Sequence, residues 1–254
     1  MIPEATGAKW LNPHLSKKHV LLRSSAVVSI SQSALSHASN HWKVDLKQAT
    51  VTHLAANTPI APSTSNSPVS HPFLLFVGQR SSYKRGEWAF RAAAELPAEW
   101  RIVFAGPKFS KEEHEMVDNL DIASKVICLQ PGDEDLAILY RHAQALLHMS
   151  EIEGFGLPIL EAMRQETPVI LGDNDINREV AGDMGCYFVN SSLQDFLLVV
   201  KNYVENPLKA PGSDYARRLR LHSESYSWKE CARITARVYR EALERGGNRR
   251  AGHG

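Results

Sequence analysis

From residue 72 onward, short apolar runs alternate with longer amphipathic stretches. The apolar runs are almost continuous, which is typical of parallel strands buried on both faces. Six predicted strands follow this pattern: FLLFVG (73–78), RIVFAG (101–106), KVICLQ (125–130), ALLHMS (145–150), PVILGD (168–173) and CYFVN (186–190). Helical periodicity occupies the stretches 86–96, 110–121, 133–143, 158–165, 176–183 and 193–205. We therefore expect an α/β fold with a doubly wound parallel sheet over residues 72–210, whose ligands bind beyond the carboxyl ends of the strands.

The segment before this sheet follows a different pattern. AVVSIS (26–31) and ATVTHLA (49–55) predict strands, and QSALSHASNHW (32–42) between them predicts a helix. Two strands cannot bury a domain core unaided. Residues 1–56 are therefore expected to be a partial N-terminal domain.

Three further segments have their own composition. Residues 57–71 are rich in proline, serine and threonine, and we interpret them as an interdomain linker. The amphipathic pattern of residues 227–244 predicts a helix within a helical region that spans 211–245. Residues 246–254, GGNRRAGHG, are expected to form a disordered tail.

Composition narrows the class of protein. Hydrophobic residues make up 43% and charged residues 22%, as in ordinary soluble domains, and the formal net charge is +1. With so little net charge, nucleic acid is not an expected partner, and any bound anion needs a local site. Cys128, Cys186 and Cys231 lack metal-ligand spacing and fit the core of a reduced, cytosolic protein. No signal-peptide core or membrane-length apolar run is present, so we expect a cytoplasmic protein.

Two cations follow the first strand of the predicted sheet. Gly78 ends FLLFVG, and Arg80 and Lys84 lie in the loop before the next helix. Cations at the carboxyl end of a strand, beside a helix N-terminus, are suited to binding a diphosphate. The alternative interpretation is that both are solvated surface charges.

A short acidic and glycine-rich stretch, SEIEGFGLPILEAM (150–163), follows the fourth strand. Pro158 suits the first turn of a helix, and Gly154 and Gly156 let the backbone approach a ligand closely. Glu161 is placed to accept hydrogen bonds from vicinal hydroxyls such as a ribose diol. Glu153 is placed to meet hydroxyls of a sugar beyond the phosphates. The alternative is that both glutamates only favour the helix N-terminus electrostatically.

Several motifs together resemble one enzyme family. EGFGLPILEAM (153–163) resembles the signature of the retaining glycosyltransferases of family 4, which have the two-domain GT-B fold. FVGQRSSYKR resembles the phosphate-binding Arg/Lys loop of that family, and EDLAILYRHAQALLHMS resembles the helix and strand before the signature. REVAGDMGCYFVN and YSWKECARITARVYREAL resemble the segments after it, and MIPE and AVVSISQSAL resemble late parts of the N-terminal domain. The resemblance covers residues 1–244.

The resemblance implies a Rossmann-like half of a GT-B fold, preceded by a partial second Rossmann-like domain. It implies that Arg80 and Lys84 neutralise a diphosphate, that Glu161 binds the ribose, and that Glu153 contacts the donor sugar. The nucleotide base is expected near residues 128–131 and Leu136. The implied donor-binding set is Gly78, Arg80, Lys84, Cys128, Leu136, Glu153, Gly154, Phe155, Gly156, Leu157 and Glu161, with Arg80, Lys84 and Glu153 as catalytic residues.

The implied reaction is hexosyl transfer from a GDP- or UDP-linked sugar to a saccharide or lipid-linked acceptor, with no cofactor and no metal ion. In the family, the phosphate of the donor accepts the proton of the acceptor during same-face attack. The loop GQRSSYKR resembles a bacterial subgroup that builds cell-surface polysaccharides, frequently from mannose-type donors. Peripheral association with the inner membrane is part of the same expectation.

The chain also departs from the family pattern. The family has many more residues before the segment that matches MIPE, so we expect the chain to start within the N-terminal domain. Arg85 replaces a common small or amide residue, and ICLQPGDED lacks the usual glycine after the strand. The alternative function is therefore a non-catalytic nucleotide-sugar-binding module, or half of a split enzyme whose partner subunit supplies the rest.

Two other chemistries remain as alternatives. DED (133–135) and DND (173–175) match the Asp-x-Asp pair of metal-dependent glycosyltransferases, although we interpret both as helix starts or turns. His148 lies at a strand end near the signature and is a candidate base. A lone histidine at such a position is more often a packed or hydrogen-bonded residue.

Overall fold

The structure is a computed structural model that describes residues 13–46, 48–210 and 212–251. Its strands are β1 (Val28–Ser29), β2 (Thr50–Val51), β3 (Phe73–Val77), β4 (Arg101–Ala105), β5 (Val126–Leu129), β6 (Ala145–His148), β7 (Val169–Asp173) and β8 (Cys186–Val189). Its helices are α1 (Pro13–Arg23), α2 (Gln32–Trp42), α3 (Gly86–Glu95), α4 (Lys111–Asn119), α5 (Asp133–His142), α6 (Leu157–Arg164), α7 (Asp175–Ala181), α8 (Leu193–Glu205), α9 (Asp214–Glu224) and α10 (Trp228–Ala251).

Strands β3 to β8 form one parallel sheet in the order β5–β4–β3–β6–β7–β8. The first strand of this sheet in sequence, β3, lies at its centre. Strands β4 and β5 follow on one side of it, and β6, β7 and β8 follow on the other. Leu75 of β3 pairs with Val103 of β4 and with Leu146 of β6. The predicted doubly wound parallel sheet is confirmed. Because the strand order reverses between β3 and β6, their carboxyl ends form a topological switch point.

Helices cover the sheet in two groups. Helix α3 packs against β4, α4 and α8, whereas α6 packs against β6, β7, α5 and α9. Phe90 of α3 stacks on Phe104 of β4 with ring centroids 4.6 Å apart, and Phe109 contacts both rings edge-on. Aromatic contacts of this kind each add about 0.5–1.5 kcal/mol beyond area burial. This cluster fixes the start of α4 against the sheet.

Two glycines bring the ends of β3 and β4 together. Gly78 adopts a φ of +108°, and its amide donates to Ala105 O at 2.8 Å. A Cβ on Gly106 would lie only 2.4 Å from Gly78 O, a backbone atom that has little freedom to move. Glycine at 106 is therefore required by the close approach of the two loops.

The segment predicted as a linker, residues 57–71, packs within the unit formed by residues 55–226. Gln165 binds it at two points, accepting from the Ala61 amide at 3.0 Å and donating to Pro59 O at 2.6 Å. Ala61 and Val69 are buried. The composition indicated an interdomain linker, whereas the Gln165 side chain, more than a hundred positions away, satisfies two backbone groups of this segment.

The described residues of the other unit lie within 13–54 and 227–251. Strands β1 and β2 form a parallel pair that is separate from the six-stranded sheet, and Ser31 caps α2 by accepting from the Ala34 amide. Residues 1–12 of the predicted partial domain lie outside the described residues. A tail was predicted over 246–254, whereas α10 continues to Ala251. Within the described ranges, no helix combines the length and apolar character that crossing a membrane requires.

Replacing Gly106 with alanine tests the contact between the β3 and β4 loops. The added methyl group meets Gly78 O, so Gly106→Ala is expected to lower the free energy of unfolding by about 1–3 kcal/mol, measured by urea denaturation. The matched control is Gly132→Ala, because a Cβ there meets nothing within 4 Å and φ is −74°. Gly132 is the N-cap residue of α5, where alanine is less favoured than glycine, and this loss opposes the gain from restricting the unfolded chain. The control is therefore expected to change the free energy of unfolding by less than about 1 kcal/mol. Equal stability of both variants would contradict the steric argument.

Candidate functional site

The switch point brings together two loops that leave β3 and β6. The β3 loop contains a 3₁₀ turn, Ser82–Lys84, and the β6 loop leads into α6. The amide of Glu151 donates to Tyr83 O at 2.8 Å, which joins the two loops through their backbones. Side chains from both loops therefore face the same space.

Lys84 and Glu153 form an ion pair across these loops, in which Lys84 Nζ donates to Glu153 Oε1. Their side chains are only 19% and 14% exposed, so the pair is largely protected from solvent. His148, at the end of β6, places Nε2 3.6 Å from the same Glu153 oxygen. Two of the predicted site residues are thus in direct contact, and His148 is their neighbour.

Burial sets the charge state of this group. It lowers the pKa of His148 to about 4, an effect that Glu153 opposes and Lys84 reinforces. Burial also acts to raise the pKa of Glu153, but its contacts with His148, Lys84 and Ser150 hold that pKa below its usual value. At neutral pH the imidazole is therefore uncharged, while Lys84 and Glu153 carry opposite charges.

Helix α6 begins directly after the glycine-rich turn. Gly156 is its N-cap residue with φ +90°, and a Cβ there would lie 3.1 Å from Ile159 Cδ1 and 3.7 Å from His148 Nε2. Leu157 is the first helical residue, as Pro158 in the first turn predicted. Phe155 is buried and contacts Tyr226 edge-on, whereas Gly154 is exposed. A side chain at 156 would therefore crowd Ile159 and His148.

Arg80 lies apart from Lys84. Its side chain is 4% exposed, and it donates to Glu113 from Nε at 2.6 Å and from Nη2 at 3.0 Å. Nη2 also donates to the carbonyls of Pro107 and Lys108, and the guanidinium lies 5.0 Å from the Phe109 ring centroid. Burial acts to raise the pKa of Glu113, but hydrogen bonds from Arg80 and the Ser110 amide hold it below its usual value. The two predicted cations therefore have separate carboxylate partners.

Arg85, the residue that departs from the family pattern, links three loops. It adopts a φ of 51° and donates to Asn190 O, at the end of β8. Its Nη2 lies 3.5 Å from Glu151 Oε2, and its guanidinium stacks on Trp88 at 4.6 Å. Arg85 thus ties the β3, β6 and β8 loops to one another.

Glu161 lies on α6 and faces α5. Its Oε2 accepts a hydrogen bond from Tyr140 Oη at 2.9 Å. Burial raises the pKa of Glu161, Tyr140 acts to lower it, and the charge of Asp133 raises it further. The two glutamates of the signature therefore have different neighbours, Lys84 for Glu153 and Tyr140 for Glu161.

The remaining predicted residues lie in three different parts of the fold. Gly78 has no atom within 4 Å of the position of a Cβ. Cys128, in β5, donates to Pro107 O at 3.3 Å, and burial raises the pKa of its thiol. Leu136 is half-buried in the first turn of α5. No contact recorded for the described residues joins Cys128 or Leu136 to Glu161.

Three buried polar atoms near the switch point have no hydrogen-bond partner in the described part of the chain. They are Arg80 Nη1, Ser81 Oγ and His148 Nε2. Buried polar groups in proteins are nearly always hydrogen-bonded, so unpaired ones require an explanation. Arg80 and Ser81 follow β3 and His148 ends β6, so a polar ligand bound at the switch point would provide partners for these atoms.

The two acidic motifs serve helix starts, as we interpreted them. Residues 133–135 form the exposed first turn of α5. In the second motif Asn174 caps α7 by accepting from the Asn177 amide, and Asp173 binds Arg178 at 2.7 Å. The part of the chain that the structure describes holds no cluster of three His, Cys, Asp or Glu residues suited to a metal ion. The expectation of a metal-independent site stays a prediction.

Sequence reasoning missed two partners of the predicted residues. Glu113 binds Arg80, although the sequence SKEE (110–113) signals only a capping box, which the structure contains. Tyr140 binds Glu161. The sequence indicates this contact only through the position of the tyrosine on the apolar face of a predicted helix, because a buried hydroxyl there needs an acceptor. In neither case does the spacing in sequence indicate the partner.

Comparison with known proteins identifies the family. The sequence profile of the family described as glycosyl transferases group 1 matches residues 58–220. The chain belongs to this family. The match covers the six-stranded sheet, the switch point and the first part of α9, so the loops that leave β3 and β6 lie wholly within it. The resemblance to GT-B glycosyltransferases is confirmed.

Individual relatives share part of the chain. A D-inositol 3-phosphate glycosyltransferase from Kineococcus radiotolerans is 28% identical over 203 residues, covering 70% of this chain and 46% of that protein. The serotype-specific mannosyltransferase WbdA from Escherichia coli is 32% identical over 97 residues, covering 38% of this chain and 11% of that protein. The chain therefore spans less than half the length of these curated relatives.

Solved glycosyltransferase structures share the fold. The Anabaena protein HepE, solved in complex with UDP and glucose, matches with a TM-score of 0.78 and 18% identity. The match covers 90% of this chain and 66% of HepE. At this identity the likeness establishes the arrangement of the helices and strands.

The buried His148 predicts how stability depends on pH. Its folded-state pKa of about 4 lies below the ordinary value of about 6.5, so the unfolded chain binds a proton first as the pH falls. Stability from this residue is complete above about pH 6.5, and about 3 kcal/mol is lost on going down to about pH 4. His148→Gln is expected to flatten the curve of unfolding free energy in this window, measured by urea denaturation at a series of pH values.

A second variant controls for the loss of an imidazole. His114→Gln changes an exposed histidine on α4. If His148→Gln and the parent lose stability in parallel between about pH 6.5 and 4, the imidazole of His148 is not kept neutral by burial.

Proposed function

We propose that residues 55–226 bind the nucleotide-sugar donor of a retaining glycosyltransferase of family 4 type. The observation that carries the proposal is the Lys84–Glu153 ion pair, which lies in front of the α6 N-terminus at the switch point of the sheet. Open α/β sheets bind ligands at such a point, and a helix N-terminus with a cation beside it suits a phosphate. Family membership supplies the reaction class.

In this proposal the diphosphate lies against the start of α6. Lys84 leaves Glu153 in part and donates to phosphate oxygens, while the helix N-terminus contributes its amide groups and dipole. Arg80 contributes in one of two ways. Its unpaired Nη1 donates to the phosphate directly, or the guanidinium releases Glu113 and binds the phosphate instead. These cations balance the leaving-group charge, so we expect no metal ion to be needed.

The two glutamates contact different parts of the donor. Glu161 accepts hydrogen bonds from the ribose hydroxyls, on the α5 side of α6, and the base extends toward Cys128 and Leu136. Glu153 accepts from hydroxyls of the transferred sugar, beside the glycine-rich turn. Their separate partners, Tyr140 and Lys84, support this division of roles.

The reaction is a group transfer with retention of configuration. The acceptor oxygen forms a bond to the anomeric carbon on the face from which the diphosphate leaves, and the bond from that carbon to the diphosphate oxygen breaks. The acceptor proton passes to the departing phosphate oxygen. Preorganised cations and amides that stabilise the departing phosphate lower the barrier of such a step.

The relatives suggest the setting of this reaction. Their names include a serotype-specific mannosyltransferase and a D-inositol 3-phosphate glycosyltransferase. We therefore expect a GDP- or UDP-linked hexose as donor and a saccharide or lipid-linked acceptor, in the synthesis of surface polysaccharides or glycoconjugates. A lipid-linked acceptor would bring the protein to the cytoplasmic face of the inner membrane.

The diphosphate contact can be tested by removing each cation. Lys84→Ala and Arg80→Ala are each expected to weaken binding of UDP or GDP about 10- to 150-fold, because a charge-assisted hydrogen bond contributes about 1.5–3 kcal/mol. Calorimetry with added magnesium checks that the metal does not restore affinity. Lys201→Ala, an exposed lysine on α8, is the matched control.

Thermal unfolding of each variant accompanies the binding measurement, because Arg80 is buried and its loss affects folding. If folded Lys84→Ala and Arg80→Ala proteins bind both nucleotides like the parent, neither residue contacts the diphosphate. A loss with Lys84→Ala alone would leave Arg80 as a support for the loop.

The two glutamates can be separated with two ligands. Glu161→Gln is expected to weaken nucleoside diphosphate and nucleotide sugar alike, about 10-fold or more, because both carry the ribose. Glu153→Gln is expected to spare the plain diphosphate and weaken only the intact donor, with a further fall in turnover. Calorimetry with UDP, GDP and their hexose-linked forms measures both.

A purely electrostatic role at the helix start makes a different prediction. It gives small stability losses with both variants and no selectivity between the ligands. Equal effects of Glu153→Gln on the diphosphate and on the intact donor would place the transferred sugar elsewhere.

A further inference from the structure

Tyr140 and Glu161 form a buried pair between α5 and α6. The Tyr140 side chain is 0% exposed, and its hydroxyl donates to Glu161 Oε2 at 2.9 Å. A buried phenol without an acceptor is costly, so the contact satisfies the tyrosine. It also restricts the rotation of the carboxylate, because one oxygen is held in place.

Tyr140 is itself held at the end of α5. Thr167, which is fully buried, donates from Oγ1 to Tyr140 O at 2.5 Å. Lys209 Nζ donates to Thr167 Oγ1 at 2.9 Å and to Ala143 O at 2.6 Å. A chain of hydrogen bonds therefore fixes the backbone from which the Tyr140 ring extends.

The second oxygen of Glu161 remains for a ligand. Oε2 accepts from Tyr140, and no protein donor to Oε1 is recorded within the described residues. Glu161 lies one turn beyond Gly156, where α6 begins, and is half-buried. A carboxylate held by one hydrogen bond presents its other oxygen in a defined direction, as supporting residues do in preorganised sites.

We propose that Tyr140 is a positioning residue for donor binding: its hydroxyl orients the Glu161 carboxylate so that Oε1 faces the ribose hydroxyls of the nucleotide. The inference rests on the proposed function, since it assigns Glu161 to the ribose. Tyr140 does not touch the ligand and acts only through Glu161.

Removal of the Tyr140 hydroxyl has a pH signature that a packing defect lacks. The titratable groups that shift the pKa of Glu161 are Tyr140 and Asp133, both on α5, and within the described residues no group from the other elements packed on α6 adds to that shift. Burial raises the pKa of Glu161 and the Tyr140 hydrogen bond acts to lower it. Without the hydroxyl that pKa rises further, so binding that needs the ionised carboxylate is lost at a higher pH.

The experiment compares Tyr140→Phe with the parent by calorimetry, using UDP, GDP and their 2′-deoxy forms. The variant keeps the ring, and its affinity for UDP or GDP is expected to fall about 5- to 10-fold at neutral pH. Its preference for the ribose over the 2′-deoxy form is expected to shrink. The acid limb of binding is expected to move to higher pH.

The matched control is Tyr203→Phe. Tyr203 is 5% exposed and donates from Oη to Gln144 O at 2.6 Å, so this variant also loses one buried phenol hydrogen bond. It is expected to bind all four nucleotides like the parent, with the same acid limb. Equal losses in the two variants would show a general effect of the lost hydroxyl and overturn the positioning role.

Glu161→Gln separates this inference from the proposed function. If Glu161→Gln weakens UDP binding while Tyr140→Phe matches the parent at every pH, the positioning role is overturned and the ribose contact stands. If Glu161→Gln also binds like the parent, the ribose contact itself fails.

Should Tyr140→Phe fail to fold, biosynthetic labelling with 3-fluorotyrosine provides the test. Fluorination makes the phenol a stronger donor and keeps the ring, so the acid limb of binding is expected to move to lower pH. An unchanged acid limb in the labelled protein overturns the inference.

Discussion

The ion pair between Lys84 and Glu153 joins two loops that diverge from the centre of the sheet. Strands β3 and β6 are neighbours in the sheet, but the chain leaves them toward opposite edges. The hydrogen bonds between the strands therefore do not connect the loops that follow them. The ion pair, the Glu151–Tyr83 backbone bond and the Arg85 contacts supply that connection. The glycine-rich turn and the start of α6 take their position from it. The candidate site therefore depends on a polar link between two halves of a sheet.

Most of the fold could be predicted from the sequence, since each strand from β3 to β8 is a nearly continuous apolar run and each helix between them has its own periodicity. The placement of Gly156 and Glu161 at the start of α6 also follows from local pattern, through Pro158 and the glycines. The partners of the charged residues do not. Arg80 meets Glu113 across 33 positions, and this contact depends on how α4 packs over Phe104 and Phe109. Composition alone likewise described 57–71 as a linker, because Gln165, which binds it, is remote in sequence.

The site combines well-satisfied and unsatisfied polar groups. Some polar groups are paired: Glu113 binds Arg80, Tyr140 binds Glu161 and Asn190 binds Arg85. Three buried atoms have no partner in the described residues, namely Arg80 Nη1, Ser81 Oγ and His148 Nε2. Unpaired buried groups reduce stability, and proteins concentrate such costs at functional sites. The aromatic packing of Phe90, Phe104 and Phe109 beneath the β3 loop offsets part of this cost. The polar side chains of the site thus lie above a well-packed aromatic cluster.

The pairing of both cations with carboxylates has a kinetic consequence. Arg80 and Lys84 are neutralised by Glu113 and Glu153, His148 is uncharged, and the net charge of the whole chain is only +1. Such a site exerts little long-range attraction on a polyanion, so electrostatic steering contributes little to the rate of encounter. For the diphosphate of the proposed function, affinity would then arise after contact, as the cations exchange partners at short range. It is expressed mainly in how long the complex persists, and the rate of capture responds only weakly to ionic strength.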